Sequence, residues 1–222
     1  MNHDSKSLYA ARIGAVAGWL ALAGVLAFSV IGPMIVAGQR VSGMLDPKAI
    51  QAYYRHDALA LLSVGEFLIV LAMVPFALAL RDVLSVDERA RFLSNVGLAF
   101  VLIAAPLYLA DNSLHATLVT VANSGGDILP LFRFWDILYN SATYLAEAGY
   151  AFAFARAMRD VRAFPRWMPW WGVIVGALQL INMSALFVGI PDNATLIGNL
   201  AFMGWFIGSS VGLTRLARRP TA

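Results

Sequence analysis

Six long apolar stretches constrain this chain before anything else does. They cover residues 12–37, 57–80, 92–122, 134–157, 167–189 and 194–214. A bilayer core about 30 Å thick is crossed by roughly 20 apolar residues at 1.5 Å each, so every stretch is long enough. Helix breakers separate several of them: Asn123-Ser124-Gly125-Gly126-Asp127, Phe164-Pro165 and Gly189-Ile190-Pro191-Asp192-Asn193. Composition agrees. Of 222 residues, 60% are hydrophobic and 13% charged, whereas a soluble domain carries about 25% charge. That excludes an ordinary soluble globule, and the hydrophobicity excludes a disordered chain. With no cysteine, disulfides, thiolate metal sites and cysteine nucleophiles are excluded as well. The expected fold is all-α: a polytopic membrane protein, a six-transmembrane-helix bundle forming one domain over residues 1–222. The first stretch is too long for a signal-peptide core, and no A-x-A-like cleavage site follows it, so it is read as a retained helix.

Lysine and arginine set the expected orientation. One side of the six-span layout holds 12 of them: Lys6, Arg12, Arg81, Arg89, Arg91, Arg156, Arg159, Arg162, Arg166, Arg215, Arg218 and Arg219. The other holds 4: Arg40, Lys48, Arg55 and Arg133. Both termini are therefore expected in the cytoplasm. Glycines recur at i, i+4 spacing at Gly14/Gly18, Gly172/Gly176 and Gly204/Gly208/Gly212. Such spacing lets helix backbones approach closely in lipid. These faces suit packing within the chain, or contacts in a homo-oligomer.

Charge inside a bilayer costs about 2.5–3.5 kcal/mol per residue on insertion scales, so acids within spans must face the bundle or water. Glu66, Asp111, Asp136 and Glu147 lie in or near spans, and His56 and His115 near span ends. On the expected topology Glu66 sits roughly 14 Å deep, with Glu147 near the middle and Asp111, His115 and Asp136 towards the outer face. At 100° per residue, Asn140, Thr143 and Glu147 fall on one face with Asp136, flanked by Tyr144 and extended by Tyr150. Tyr108, Asp111 or Asn112, and His115 share a face on the third helix, and Gln179 and Asn182 are neighbours on the fifth. With Asn199 on the sixth, these residues outline a polar cavity that opens outward.

No lysine or arginine lies at the depth of Glu66 or Glu147 to neutralise them, so they are expected to be protonated, to share protons or to face water. Acid catalysts and proton carriers both need such carboxyls. The first reading is an acid–base enzyme of isomerase or cyclase type on a lipophilic small molecule. Its candidate catalytic residues are Glu66, Asp111, His115, Asp136 and Glu147. Tyr139, Asn140, Tyr144, Gln179, Asn182 and Asn199 are its candidate substrate-binding residues. Aromatic walls, with Trp135 and Trp205, suit a developing cation. The second reading is a proton-coupled small-solute carrier, or a ligand-binding or accessory membrane subunit. Interhelical hydrogen bonding alone would account for Gln179, Asn182 and Asn199. Asp111-x-x-x-His115 has ligand spacing and His56 lies nearby, but there is no H-E-x-x-H and no paired-histidine helix, so neither a metal nor a cofactor is expected. Phosphate-binding glycine loops and nucleic-acid motifs are absent too. The expected partners are the lipid bilayer and a lipophilic small molecule.

The run Ala11-Arg12-Ile13-Gly14-Ala15-Val16-Ala17-Gly18 and the run Pro165-Arg166-Trp167-Met168-Pro169-Trp170-Trp171-Gly172 carry a resemblance. Together with the layout of the whole chain, they resemble bacterial six-helix integral membrane proteins grouped as a domain of unknown function. The resemblance implies a bacterial inner membrane and brings no functional residues with it.

Overall fold

A computed structural model describes residues 3–26, 47–55, 58–159, 161, 164–188 and 192–218. The regular elements are α1 (His3–Leu26), α2 (Pro47–Tyr54), α3 (Ala58–Leu84), α4 (Glu88–Asn123), α5 (Leu129–Leu138), a π-helical turn (Tyr139–Thr143), α6 (Tyr144–Met158), α7 (Met168–Val188) and α8 (Asp192–Ala217). Among the described residues, four helical segments are long and apolar enough to cross a bilayer: Leu8–Leu26, Phe67–Leu84, Glu88–Asn123 and Ile197–Ala217. That is the mark of a multi-pass membrane protein.

The long helices close into a ring. Helix α1 lies against α3, α3 against α4, α4 against α6, α6 against α7, α7 against α8, and α8 returns to α1. The closing contact includes a hydrogen bond from Trp19 Nε1 to Thr214 Oγ1 at 3.1 Å. Glycines set the spacing. A Cβ at Gly14 would overlap Ala79, and one at Gly18 would overlap Ser210. At Gly172 it would lie 2.6 Å from the Ala155 methyl, and at Gly176 2.8 Å from the Phe152 ring. At Gly208 it would reach 2.6 Å from Met168 Sδ, and at Gly212 2.6 Å from the Phe164 ring. All three glycine ridges therefore face neighbouring segments of the same chain, helices except for the turn at Phe164, where small residues permit the van der Waals packing that holds helices together in lipid.

Apolar side chains such as Val16, Leu71, Phe92, Ile103, Ile174 and Ile197 point out of the ring. Trp205, Phe154, Phe76 and Phe206 fill its centre, with Phe76 and Phe206 at 4.2 Å between ring centroids. A void of about 10 Å³ lies among Met73, Phe76, Val101, Tyr150, Phe154 and Trp205. Its lining is apolar and its size is at the lower limit for one water.

Helix α4 starts sharply because Asp87 accepts from the Ala90 N–H at 2.7 Å, which satisfies one of the free donors of the first turn. Its 36 residues span about 54 Å, well beyond a bilayer core. Its first turns expose Glu88, Arg89, Arg91 and Asn95; from Ala99 to Ala110 the exposed positions are apolar, and beyond that they turn largely polar, at Ser113, Thr117, Thr120 and Asn123. The helix ends in a Schellman arrangement. Gly126 N–H donates to Val121 O at 3.0 Å and Gly125 N–H to Ala122 O at 3.2 Å, with Gly125 at φ 81°, a backbone that glycine adopts without strain.

Around this projecting end a second core forms from Ile50, Tyr54, Leu59, Leu118, Ala122, Ile128 and Phe132. Helix α2 belongs to it, although sequence analysis gave no element there. Gln51 Nε2 donates to Ala122 O at 3.2 Å and to Gly126 O at 3.3 Å, and Arg55 Nε donates to Ala122 O at 3.2 Å. A cation at a helix C-terminus also complements the macrodipole.

Two further departures concern the spans. Helix α1 begins at His3, nine residues before the expected start at 12, and residues 27–37 of that stretch lie outside the described residues. The expected fourth helix begins at Leu129 and is interrupted by the π turn at Tyr139–Thr143. Single π turns inside α-helices recur at functional sites.

Candidate functional site

The polar residues of the ring meet around one carboxyl. Glu147, in the first turn of α6, is 6% exposed. Two helices reach it. Tyr108 of α4 donates its hydroxyl hydrogen to Oε1, and Gln179 of α7 donates from Nε2 to Oε2 at 2.6 Å. Asn182, one turn further along α7, donates from Nδ2 to Gln179 Oε1 at 2.8 Å. The arrangement depends on close α4–α6 packing. A Cβ at Gly97 would lie 3.0 Å from the Phe154 ring, and one at Gly149 would overlap Phe100. Asn182 is held in turn against Gly198 of α8, where a Cβ would overlap its amide.

Among the described residues no cation pairs with Glu147. Removing a charged carboxylate from water costs several kcal/mol, whereas a hydrogen bond to a charged group returns about 1.5–3 kcal/mol. Two neutral donors therefore offset a large part of the cost of the ionised form. In the neutral form the acid hydrogen is a donor, which the Tyr108 hydroxyl oxygen can accept and Gln179 Nε2 cannot.

A second group lies along α4, α5 and the π turn. Asp111, Asn112 and His115 are buried on one face of α4. The His115 ring packs edge-on against Tyr54 at 5.3 Å and tilted against Trp135 at 5.8 Å. Trp135 stacks on Tyr139 at 5.6 Å, and Tyr139 meets Tyr144 edge-on at 5.5 Å. The result is a file of aromatic rings from α2 to the start of α6. At its inner end Tyr144 hydrogen-bonds with Asn199 of α8 and with Tyr139, within electrostatic range of Asp111 and Asp136. Asn140 Nδ2 donates to Asp136 Oδ1 at 2.7 Å, an i, i+4 pair at the entry to the π turn. Thr143 Oγ1, at the end of that turn, is buried without a hydrogen-bond partner among the described residues.

The structure thus joins Glu147 to Gln179 and Asn182, joins Tyr139 and Tyr144 to Asn199, and joins Asp136 to Asn140. It places Asp111 and His115 one turn apart on α4, both buried. Glu66 lies on α3, but its side chain falls outside the described residues, as does His56. Among the described residues no three of His, Asp and Glu converge as metal ligands would. Glu147 and Asn182 each bond to Gln179, so these three form a chain of direct contacts.

Tyr54, Gly198 and the acceptor of Tyr108 do not stand out in the sequence. The signal for Tyr108 was present, since it shares the face of Asp111 and His115, but its partner lies on another helix. No known protein family, curated protein or solved structure matches this chain.

Proposed function

We propose that this chain is a six-span protein of a bacterial inner membrane, with both termini cytoplasmic, that performs acid–base chemistry on a lipophilic substrate reaching it from the outer face. The six-span reading is supported by α7, whose 21 residues contain no charged side chain, and by α5 and α6, which join through the π turn without a break in helical conformation. The lysine and arginine distribution supports the orientation.

The observation that carries the chemistry is the Glu147 carboxyl, buried between two neutral donors with no cation paired to it among the described residues. A group built this way holds or releases a proton in a water-poor setting, as a general acid requires. Asp136, half-buried and bonded to Asn140, and the Asp111–His115 pair are the candidate bases, with Glu66 a second acid on α3. Tyr139, Tyr144 and Trp135 offer ring faces to a developing cation. Isomerisation or cyclisation of a terpenoid-like or sterol-like molecule uses this set. Comparison of whole-cell lipids between a deletion strain and its parent tests the reading. A lipid that accumulates in the deletion supports it, and identical lipid profiles overturn it.

A proton-coupled carrier is the second reading, favoured by the position of Glu147 inside a closed ring of helices. Unchanged lipids together with altered uptake of a small solute by the deletion strain would select it.

A further inference from the structure

We infer that Tyr108 is the relay through which Glu147 exchanges its proton, and that Gln179 and Asn182 fix the direction of that exchange. The inference rests on the proposed acid role of Glu147 and assigns its exit.

Gln179 Nε2 occupies Oε2 of the carboxyl. The Gln179 amide cannot turn over without losing the bond that its Oε1 accepts from Asn182 Nδ2. Asn182 is confined in turn by the close backbone of Gly198. A proton on Glu147 therefore belongs on Oε1, which faces the Tyr108 hydroxyl.

The two side chains differ in exposure. Glu147 is buried, and Tyr108 is half-buried. A second tyrosine, Tyr150, also lies within electrostatic range of Glu147, but it is buried against the apolar void and offers no way out.

The step balances without any co-reactant. The Oε1–H hydrogen of Glu147 passes to the Tyr108 oxygen as the phenolic hydrogen of Tyr108 passes to a water or to a basic atom of the substrate. Glu147 is left as carboxylate, the acceptor gains one proton, and Tyr108 ends neutral as it began. Tyr108 is thus a positioning and relay group for the acid.

Infrared spectroscopy of the purified full-length chain in lipid nanodiscs tests this. The acid C=O band of Glu147 is identified by its loss in Glu147→Gln, at a pH where that band is present. The protein is then moved into D2O and the deuterium downshift of the band is followed. Tyr108→Phe is expected to slow the exchange by about tenfold or more, while Tyr150→Phe exchanges at the wild-type rate. Gln179→Leu is expected to move the band without slowing its exchange. Wild-type exchange in Tyr108→Phe, or slowing in Tyr150→Phe alone, overturns the relay.

If Tyr108→Phe fails to fold, ring-labelled tyrosine in the wild-type chain gives the answer. A tyrosine C–O band that shifts as Glu147 titrates supports the relay, and tyrosine bands that stay fixed contradict it. The two claims remain separable. Slow exchange in Tyr108→Phe with unchanged cellular lipids keeps the relay and removes the enzyme. Altered lipids with fast exchange do the reverse.

Discussion

Gln179 on α7 donates from Nε2 to Oε2 of Glu147 on α6 at 2.6 Å, so a single buried hydrogen bond ties two neighbouring helices of the ring. Replacing Gln179 with leucine keeps the apolar bulk and removes the donor. Leaving one carboxyl oxygen unsatisfied costs about 1–3 kcal/mol. Thermal unfolding of the purified chain should show that loss, and Asn182→Leu should show less, because Asn182 touches the carboxyl only through Gln179. Equal stability of wild type and Gln179→Leu would contradict the tie.

The glycines divide into those that must stay small and those that need not. A methyl at Gly172 would stand 2.6 Å from the Ala155 methyl and 2.7 Å from Trp205 Nε1, so Gly172→Ala should cost about 1–3 kcal/mol through overpacking. At Gly204 the nearest atom would be 3.6 Å away. Gly204→Ala should then be neutral, or stabilising by up to about 1 kcal/mol from helix propensity. Unfolding midpoints of the two variants check the contrast, which disappears if Gly172→Ala is as stable as Gly204→Ala.

The chain has no cysteine, which makes orientation directly measurable. Ser124, after α4, and Val86, before it, are both accessible, Val86 being 56% exposed. In intact cells a membrane-impermeant maleimide should label Ser124→Cys and leave Val86→Cys unlabelled until lysis. The reverse pattern would invert the topology.

Arg55 anchors α2 to the end of α4 through Ala122 O. Arg55→Ala removes that bond and a cation at a helix C-terminus, together about 1 kcal/mol. Amide exchange across Pro47–Tyr54 should rise several-fold while α6 and α7 stay protected. Unchanged exchange in α2 would mean that Ile50 and Tyr54 alone hold it.

Much of this was legible from residue order, for identifiable reasons. Glu147 stood out because an acid in an apolar run, with no lysine or arginine at its depth, has no inexpensive explanation. Gln179 and Asn182 are three apart, and helical geometry alone makes them neighbours. The glycine ridges announced close packing, although only the structure shows that Gly172 faces α6 and that Gly212 faces the turn before α7. What could not be read were pairings between helices. Nothing in the run around Tyr108 states that its acceptor is 39 residues away. The π turn was invisible because Tyr139-Asn140-Ser141-Ala142-Thr143 contains neither proline nor glycine. Helix α2 was too short and too polar to register beside the long apolar runs, although Ile50 and Tyr54 at i, i+4 mark its buried face.

On the reading proposed above, the Glu147 carboxyl serves chemistry rather than packing. Glu147→Gln tests it most directly, because glutamine keeps the size and the hydrogen-bonding capacity but cannot deliver a proton. The variant is expressed in the deletion strain, and its unfolding midpoint and the strain's lipid profile are measured together. The expected outcome is a folded protein of near wild-type stability whose host retains the lipid profile of the deletion. A folded Glu147→Gln that restores the wild-type lipid profile would contradict it.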